Sequence, residues 1–252
     1  MELGFIGSGN VAFHLASYFK NKKINIKWIY GRNSTTVNEL AHCVNSLPQI
    51  QLTDLPSVDA IIVCVADNAI ASVVEQLPCN ASILITSGTF DIDTIAIYTP
   101  NSGILYPLQT FTKNTPLEIN KIPFIIESRT KTITSTLNKL IDLGDLKSIQ
   151  MNYEKRKKIH LSAVFLNNFI NHMIHLIQEK SNIENIDFQI FNPLISETIR
   201  KALNEQAKLM QTGPAIRKDT QTIVAHQQML DGYLFQLYNL FTNSILETYK
   251  EN

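Results

Sequence analysis

The sequence LGFIGSGNVA, residues 3–12, carries an apolar run straight into a glycine loop. The loop has the form GxGxxA, and an amphipathic segment follows it as far as residue 20. In a dinucleotide-binding unit the first glycine allows the tight turn, the second lets the backbone approach a pyrophosphate, and the small third residue lets helix and strand pack closely. A glycine turn without a ligand is the alternative. The residues predicted to contact a dinucleotide are Gly7, Ser8, Gly9, Asn10 and Val11.

Short apolar runs continue this pattern through roughly the first 110 residues. They cover residues 3–6, 26–30, 60–65, 82–86 and 103–106, and amphipathic stretches separate them. A further run at residues 123–127 is expected to add one more strand. Strands that alternate with helices form a parallel sheet with helices packed against it. We therefore predict an α/β Rossmann domain with a mainly parallel, doubly wound sheet.

The periodicity changes after residue 151, where apolar residues recur every three to four positions as in an α-helix. Three long helices are predicted, at residues 153–180, 192–210 and 219–249. Asn192 and Asp219 are suitable amino-terminal caps, and Pro193 suits a first helical turn. The sequence thus predicts a nucleotide-binding domain at residues 1–151, followed by an all-α helical domain at residues 152–252.

The end of the second apolar run normally distinguishes NAD from NADP. An acidic residue there binds the ribose 2′-hydroxyl of NAD, whereas a basic residue accommodates the 2′-phosphate of NADP. Residues 30–35 read YGRNST and contain no acid. Arg32 supplies a positive charge, while Asn33 and Ser34 supply hydrogen-bond donors. NADP is therefore the predicted cofactor, and a solvated loop charge is the alternative for Arg32.

Later strand ends of such a sheet border the same crevice, so they are expected to lie near the nicotinamide. The sequence VADN follows the apolar run at residues 60–65, and SGT follows the run at residues 82–86. An ordinary turn is the alternative for SGT. The residues predicted to line the cofactor site here are Ala66, Asp67, Ser87 and Gly88.

Polar side chains of the helical region form the second group of candidates. His160, Asn167 and Asn171 are spaced so that they share one stripe of a helix, beside an apolar stripe. Such a stripe often lines a cleft, but surface residues in an Asn-rich chain would give the same pattern. Arg217 lies in a predicted turn and could bind a carboxylate or pair on the surface. Glu197 precedes two basic residues at helical spacing, a common stabilising pattern.

The composition excludes several classes of function. Lys and Arg together number 22, as do Asp and Glu, so no net charge is available to hold a polyanion and we expect no nucleic-acid partner. Cys43, Cys64 and Cys79 show no CxxC spacing and are odd in number, which argues against a zinc site and a disulfide framework. No metal site is predicted. Without a signal segment or a run of about 18 apolar residues, a cytoplasmic protein with no membrane contact is expected.

Six segments together resemble a bacterial family with a Rossmann-like amino-terminal half and a helical carboxy-terminal domain of unknown function. They are GSGNVA (residues 7–12), TSGT (86–89), YPLQTF (106–111), HLSAVFLNNFINH (160–172), NPLISET (192–198) and QTGPAIRKD (211–219). YPLQTF and QTGPAIRKD are the specific motifs. The family belongs to a wider group that includes 6-phosphogluconate dehydrogenase, pyrroline-5-carboxylate reductase and ketopantoate reductase. The resemblance implies an NADP-linked oxidoreductase.

Within that family, the chain is similar to the alternative ketopantoate reductases of pantothenate and coenzyme A biosynthesis. The resemblance thus implies NADPH-dependent reduction of a small 2-keto acid, 2-dehydropantoate (ketopantoate), to pantoate. The usual ketopantoate reductase has a lysine four residues before an asparagine on this helix. Here the positions four before Asn167 and Asn168 hold alanine and valine, so another group must donate the proton. His160 is the expected acid, because an imidazole with a pKa of about 6.5 suits proton transfer at neutral pH, and His226 is the reserve.

The remaining roles follow from the same implied reaction. Asn168 and Asn171 are expected to hold the keto or hydroxyl oxygens, Glu197 the substrate hydroxyl and Arg217 the carboxylate. Two alternatives share the fold and cofactor. One is a pyrroline-5-carboxylate reductase or another imine reductase, and the other is a non-catalytic NADP-binding regulator.

A homodimer is expected to form through the helical domain, because three long helices cannot bury all their apolar faces against the sheet domain alone. Core packing is the alternative for these faces. The stripe expected at the contact is Tyr233, Leu237, Phe241 and Ile245.

Overall fold

The computed structural model describes residues 1–78 and 80–250 and contains an eight-stranded sheet. The strands are β1 (Glu2–Ile6), β2 (Asn25–Tyr30), β3 (Leu47–Gln49), β4 (Ala60–Val63), β5 (Ile83–Ile85), β6 (Ser102–Pro107), β7 (Pro123–Ser128) and β8 (Lys147–Gln150). Their order across the sheet is β3-β2-β1-β4-β5-β6-β7-β8, and every neighbouring pair is parallel except β6 with β7. The strand order reverses between β1 and β4, which is where ligands bind in such sheets. The predicted Rossmann-like sheet is confirmed.

Helices connect the strands and make up most of the carboxy-terminal region. They are α1 (Asn10–Asn21), α2 (Ser34–Val44), α3 (Asp67–Val74), α4 (Lys131–Gly144), α5 (Tyr153–Ala163), α6 (Ile170–Ile183), α7 (Asn192–Asn204), α8 (Thr220–Gln228) and α9 (Gly232–Thr248). Short 3₁₀ segments lie at Ile92–Ile95, Ile119–Lys121 and Phe188–Phe191, and a π-helical segment covers Val164–Phe169. In the described part of the chain, no helix combines the length and apolar character needed to cross a membrane.

Successive side chains of β1 belong to two different buried clusters, so both faces of the sheet are buried at this strand. Phe5 belongs to one buried cluster, whereas the next residue, Ile6, belongs to a second cluster with Trp28. Successive side chains of a strand point to opposite faces, so a strand buried on both sides has no polar positions. Ala12 of α1 is fully buried in the first cluster, as the close approach of helix and strand requires.

Contacts divide the chain into two compact units, Met1–Asn168 and Phe169–Asn252. The first unit contains the whole sheet and also α5, which the sequence-based boundary at residue 151 assigns to the helical domain. Arg156 of α5 bonds to residues of the β5–β6 connection and of β7, so this helix is tied to the sheet. The boundary between functional domains stays a prediction.

The three long helices predicted after residue 151 are more interrupted in the structure. Residues 153–180 form α5, the π-helical segment and most of α6. The second helix ends at Asn204, and Asn192 is its first residue rather than its cap. The third is broken between α8 and α9, and Gly232 at the start of α9 has a φ of +49°, which favours glycine. Asp219 caps α8 as predicted, by accepting a hydrogen bond from the Thr222 amide at 3.1 Å.

Candidate active site

The glycine loop between β1 and α1 provides a binding position for a phosphate. Gly7 has a φ of +107°, and its amide donates a hydrogen bond of 2.7 Å to the carbonyl of Tyr30. A Cβ atom added to Gly9 would have no protein atom within 4 Å, so the space in front of the loop is open. No side chain caps the first turn of α1. Its amides and dipole therefore suit a phosphate group.

Two cavities adjoin this loop at the carboxyl ends of the strands. The first, about 440 Å³ and here called the Arg32 cavity, is lined by predicted cofactor residues Gly7, Ser8, Arg32, Asn33 and Ala66. The second, about 870 Å³ and here called the His160 cavity, is lined by predicted cofactor residues Gly9, Asn10, Val11, Asp67 and Ser87. Cys64 and Val65 line both cavities. The two cavities thus adjoin the same glycine loop, as a dinucleotide requires.

The Arg32 cavity lies beyond the end of β2. Arg32 is exposed there, and Asn33 caps α2 by accepting a hydrogen bond of 3.2 Å from the Thr36 amide. Ser8 Oγ lies 2.7 Å from Thr36 Oγ1, which ties the glycine loop to the start of α2. Ser34 is the exposed first residue of α2 and is not among the cavity residues. Arg32 is therefore the cation available to a phosphate in this cavity.

The turn after β5 forms one wall of the His160 cavity. The Asp67 carboxylate accepts hydrogen bonds from Ser87 Oγ, at 2.7 Å, and from Thr89 Oγ1. Ser87 Oγ also accepts hydrogen bonds from the amides of Thr89 and Phe90, at 3.1 and 2.9 Å. The Ser87 hydroxyl is thus used within the turn and fixes its shape. Its predicted contact with a cofactor stays a prediction.

His160 and Tyr106 form a hydrogen-bonded pair that lines the same cavity. The Tyr106 hydroxyl lies 3.2 Å from Nδ1 of the imidazole. Gly88 lies against both rings, since a Cβ atom there would stand 2.6 Å from His160 Nδ1 and 2.8 Å from Tyr106 Cζ. Side-chain atoms do not approach so closely. Glycine at position 88 is therefore needed for the pairing, and its predicted contact with the cofactor stays a prediction.

The surroundings of Tyr106 keep its hydroxyl protonated. Burial raises the pKa of the phenol above its ordinary value of 10.0, and the negative charge of Asp67 raises it further. The guanidinium of Arg156 acts in the opposite direction and lowers this pKa. Because the net shift is upward, the phenol carries its proton throughout the neutral range.

Arg156 anchors the helix that carries His160, and sequence reasoning did not single it out. Its side chain is fully buried on α5, one helical turn before His160. Nη1 and Nη2 donate hydrogen bonds of 3.2 and 2.8 Å to the carbonyls of Ser87 and Phe90. Nε and Nη2 also donate to Glu127 Oε2, at 3.3 and 2.9 Å. The guanidinium therefore joins α5 to the turn that contains Gly88.

Cys64 is a second residue of the site that sequence reasoning considered only for disulfides and zinc. It follows β4 and lines both cavities. Burial raises the pKa of its thiol to about 12, and a hydrogen bond with Thr86 opposes this shift. A neutral thiol is a poor nucleophile, so Cys64 acts as a small wall residue. Cys79 lies outside the described residues.

Metal ligands form no cluster in the described part of the chain, residues 1–78 and 80–250. Within it, no group of three or more His, Cys, Asp or Glu side chains is arranged to hold a metal ion.

Two asparagines of the π-helical segment line the His160 cavity, of which Asn168 is a predicted substrate residue and Asn167 belongs to the predicted polar stripe. Asn167 and Asn168 are exposed side chains at its rim. The first unit thus brings together His160 and Asn168 with five of the predicted cofactor residues, Gly9, Asn10, Val11, Asp67 and Ser87. Gly88 lies against the His160 ring.

The other predicted substrate residues belong to the second unit, and their roles stay predictions. Asn171 and Arg217 are exposed. Glu197 is paired on α7 with Arg200, at 2.7 Å, and with Lys201, at 3.3 Å. The hydrogen bond from Arg200 is the main reason that the pKa of the Glu197 carboxyl falls to about 2. His226, the reserve acid, has its Nδ1 3.0 Å from the hydroxyl of Tyr238.

The sheet topology, the open glycine loop and the two cavities are those of a Rossmann-type dinucleotide-binding fold. Residues 2–88 match the family described as NADP oxidoreductase, coenzyme F420-dependent, and residues 122–245 match a domain of unknown function, DUF2520. The whole chain is similar to a provisionally named NADP oxidoreductase from Bacteroides fragilis, with 32% identity, a TM-score of 0.91 and 98% of each chain covered. The chain belongs to this family of NADP oxidoreductases.

More distant solved structures share the fold alone. A protein from Thermotoga maritima is 20% identical, with a TM-score of 0.72 and 98% of each chain covered. A pyrroline carboxylate reductase from Plasmodium falciparum, solved with NADP bound, is 14% identical, with a TM-score of 0.60 and coverage of 99% of this chain and 97% of that one. No curated protein matches the chain.

Proposed function

We propose that this protein uses NADPH to reduce a small 2-keto acid to the 2-hydroxy acid, with ketopantoate as the first candidate substrate. The observation that carries the proposal is the pair of His160 and Tyr106, whose 3.2 Å contact lies in the cavity beside the glycine loop. Reduction of a carbonyl leaves an oxyanion that needs a proton, and a positioned acid typically accelerates such a step by about 10²- to 10⁴-fold. A bound nicotinamide cofactor supplies the hydride.

NADP rather than NAD is the proposed cofactor of this chain. Arg32 supports this choice, because it is exposed beside the Arg32 cavity and no acid stands at the end of β2. The glycine loop would hold the pyrophosphate at the start of α1. The residues proposed to hold the remainder of the dinucleotide are Asn33, Ser34, Ala66, Asp67, Ser87 and Gly88.

The proposed substrate contacts differ in chemical role. His160 is the source of the proton that the oxygen of the reduced carbonyl gains, and the amide of Asn168 holds that oxygen by a hydrogen bond. A guanidinium suits a carboxylate, so Arg217 is proposed to bind the substrate carboxylate, with Asn171 and Glu197 binding the hydroxyl groups.

Reduction of an imine such as pyrroline-5-carboxylate is the second candidate function. It is favoured by the pyrroline carboxylate reductase that shares this fold over nearly the whole chain. A protonated imine already carries its proton, so its reduction needs no acid comparable to His160. A regulator that binds NADPH without turnover is the third possibility.

The experiment that tests these functions compares the rates of NADPH oxidation with ketopantoate and with pyrroline-5-carboxylate. Turnover of ketopantoate that His160→Ala abolishes supports the main proposal, as does rescue of a pantothenate-requiring strain that lacks ketopantoate reductase. Turnover of pyrroline-5-carboxylate alone replaces it with the imine reductase. Tight NADPH binding without turnover of either substrate supports the regulator. Loss of ketopantoate turnover in His226→Ala but not in His160→Ala would transfer the acid role to His226.

A second copy of the chain is the proposed partner of the helical unit. Tyr233 and Phe241 of α9 are 80% and 49% exposed, and neighbouring apolar side chains of the unit are exposed as well. Together with Leu237 and Ile245 they form the apolar stripe expected at a dimer contact.

The double variant Tyr233→Glu and Phe241→Glu should convert a dimer to a monomer in analytical ultracentrifugation. The control is Ile97→Glu, since Ile97 is 83% exposed in the other unit. A wild-type monomer would overturn the proposal.

A further inference from the structure

Tyr106 occupies the position from which a hydroxyl can face both His160 and the cavity. It lies near the end of β6, which pairs in parallel with β5 on one side and antiparallel with β7 on the other. This central place in the sheet fixes its backbone. The side chain is half-buried, lines the His160 cavity and has its hydroxyl 3.2 Å from His160 Nδ1.

The direction of the hydrogen bond determines which group can reach a substrate. If Nδ1–H donates to the phenol oxygen, the hydroxyl hydrogen of Tyr106 is released from His160 and can be donated into the cavity. The reverse arrangement uses that hydrogen on the imidazole. Burial and Asp67 raise the pKa of the phenol, so its hydrogen is present at neutral pH.

We infer that Tyr106 is a second catalytic residue, whose hydroxyl delivers the proton that His160 replaces. The inference rests on the proposed carbonyl reduction. The bond between Oη and its hydrogen breaks as the substrate oxyanion gains that proton, and the Nδ1 proton of the His160 imidazolium moves to Oη. A bound NADPH would supply the hydride that reduces the carbonyl carbon. The imidazole is left neutral with a proton on Nε2 and regains its Nδ1 proton from water.

Two residues hold this pair in place without contacting the substrate. Gly88 leaves room for both rings, since a Cβ atom would lie 2.6 Å from Nδ1 and 2.8 Å from Cζ of Tyr106. Arg156 is a positioning residue, because its buried guanidinium ties α5 to the carbonyls on either side of Gly88, those of Ser87 and Phe90. The relay therefore has a fixed geometry before any substrate binds.

Kinetics of three variants test the relay. Tyr106→Phe should lower kcat by about 10²- to 10⁴-fold, as should His160→Gln. The double variant should be no slower than the slower single variant, because the two groups act on one proton in sequence. Tyr98→Phe is the matched control, since Tyr98 is also part-buried in the first unit but does not line the cavity. A Tyr106→Phe enzyme with wild-type kcat overturns the inference.

A second readout needs no turnover. In ¹⁵N imidazole NMR of the full chain, the His160 Nδ1 resonance should report a bonded N–H and should shift in Tyr106→Phe but not in Tyr98→Phe. An Nδ1 resonance that is unchanged in Tyr106→Phe overturns the relay, whatever the substrate. Failure of the wild type to reduce a keto acid, with the Nδ1 shift present, instead removes the proposed function and leaves the pair intact.

Discussion

The guanidinium of Arg156 is fully buried, and its Nη2 lies 2.9 Å from Oε2 of Glu127. The other carboxylate oxygen of Glu127 accepts a hydrogen bond of 3.0 Å from the amide of Tyr153. Glu127 on β7 thus holds α5 at two points, the backbone amide of Tyr153 and the side chain of Arg156. His160 follows on the same helix, so its place over the cavity depends on this pair.

Removal of Arg156 should destabilise the first unit strongly. Arg156→Met leaves the carboxylate of Glu127 without its partner, and breaking a buried ion pair in this way costs about 3 to 5 kcal/mol. The free energy of unfolding from urea titration measures the loss. Arg200→Met is the matched control, because it also removes an arginine from an ion pair, but an exposed one on α7. Equal effects of the two substitutions would show that the burial of Arg156 contributes nothing.

Gly88→Ala should impair catalysis more than cofactor binding. The added methyl group would stand 2.6 Å from His160 Nδ1, so one of the two paired rings must move. Overpacking of this kind costs about 1 to 3 kcal/mol. We expect a lower kcat with little change in the dissociation constant of NADPH measured by fluorescence. The opposite result, weaker NADPH binding with normal kcat, would show that the added methyl group faces the cofactor rather than the two paired rings.

The parts of the fold that the sequence predicts are those with a strong local pattern. The glycine loop and the strands β1, β2, β4, β5, β6 and β7 are read directly, because strands buried in the middle of a sheet are mostly apolar. β8 is not predicted, since all four of its residues are exposed and their composition carries no strand signal. β3 has only three residues and includes a proline. Such strands form because the sheet edge offers hydrogen bonds, which no local pattern records.

The residues of the site likewise differ in whether a local sequence pattern predicts them. Gly9 and Arg32 are found from their spacing to strands, because the Rossmann topology fixes where those strands end. Arg156 has no comparable signal, since it stands in the sequence EKRKK among other basic residues and only the tertiary fold buries it. The role of Tyr106 depends equally on tertiary contact, because 54 residues separate it from His160 along the chain.

Glu197 should stay ionised down to strongly acidic pH. Its hydrogen bond with Arg200 lowers the pKa of the carboxyl from 4.5 to about 2. A lowered pKa in the folded state stabilises it fully above pH 4.5, and this contribution is lost as the pH falls towards 2. Carboxyl ¹³C NMR should give the low midpoint in the wild type and a higher one in Arg200→Gln. A wild-type midpoint near 4.5 would contradict the ion pair and would permit Glu197 to act as an acid.

Cys64 should resist alkylation far more than Cys43. Only the thiolate reacts, and a rise in pKa from 9.0 to about 12 reduces the thiolate fraction of Cys64 about a thousandfold at neutral pH. Cys43 is exposed on α2 and serves as the internal control. Peptide mass spectrometry after iodoacetamide treatment distinguishes the two sites. Rapid modification of Cys64 would show that its thiol is accessible and ionised, and that the wall of the cavities opens.

Arg32 should determine the choice between NADPH and NADH. Its guanidinium is the charged group available to a 2′-phosphate in the Arg32 cavity, and a hydrogen bond to a charged group contributes about 1.5 to 3 kcal/mol. Arg32→Ala should therefore raise the KM for NADPH by about 10- to 100-fold and leave the KM for NADH nearly unchanged. Arg32→Asp should go further and favour NADH, since an acid at this position binds the ribose 2′-hydroxyl.

Lys139→Ala, which removes an exposed charge from α4, is the control for a general loss of positive potential. Equal changes in both KM values for Arg32→Ala would place the 2′-phosphate away from Arg32.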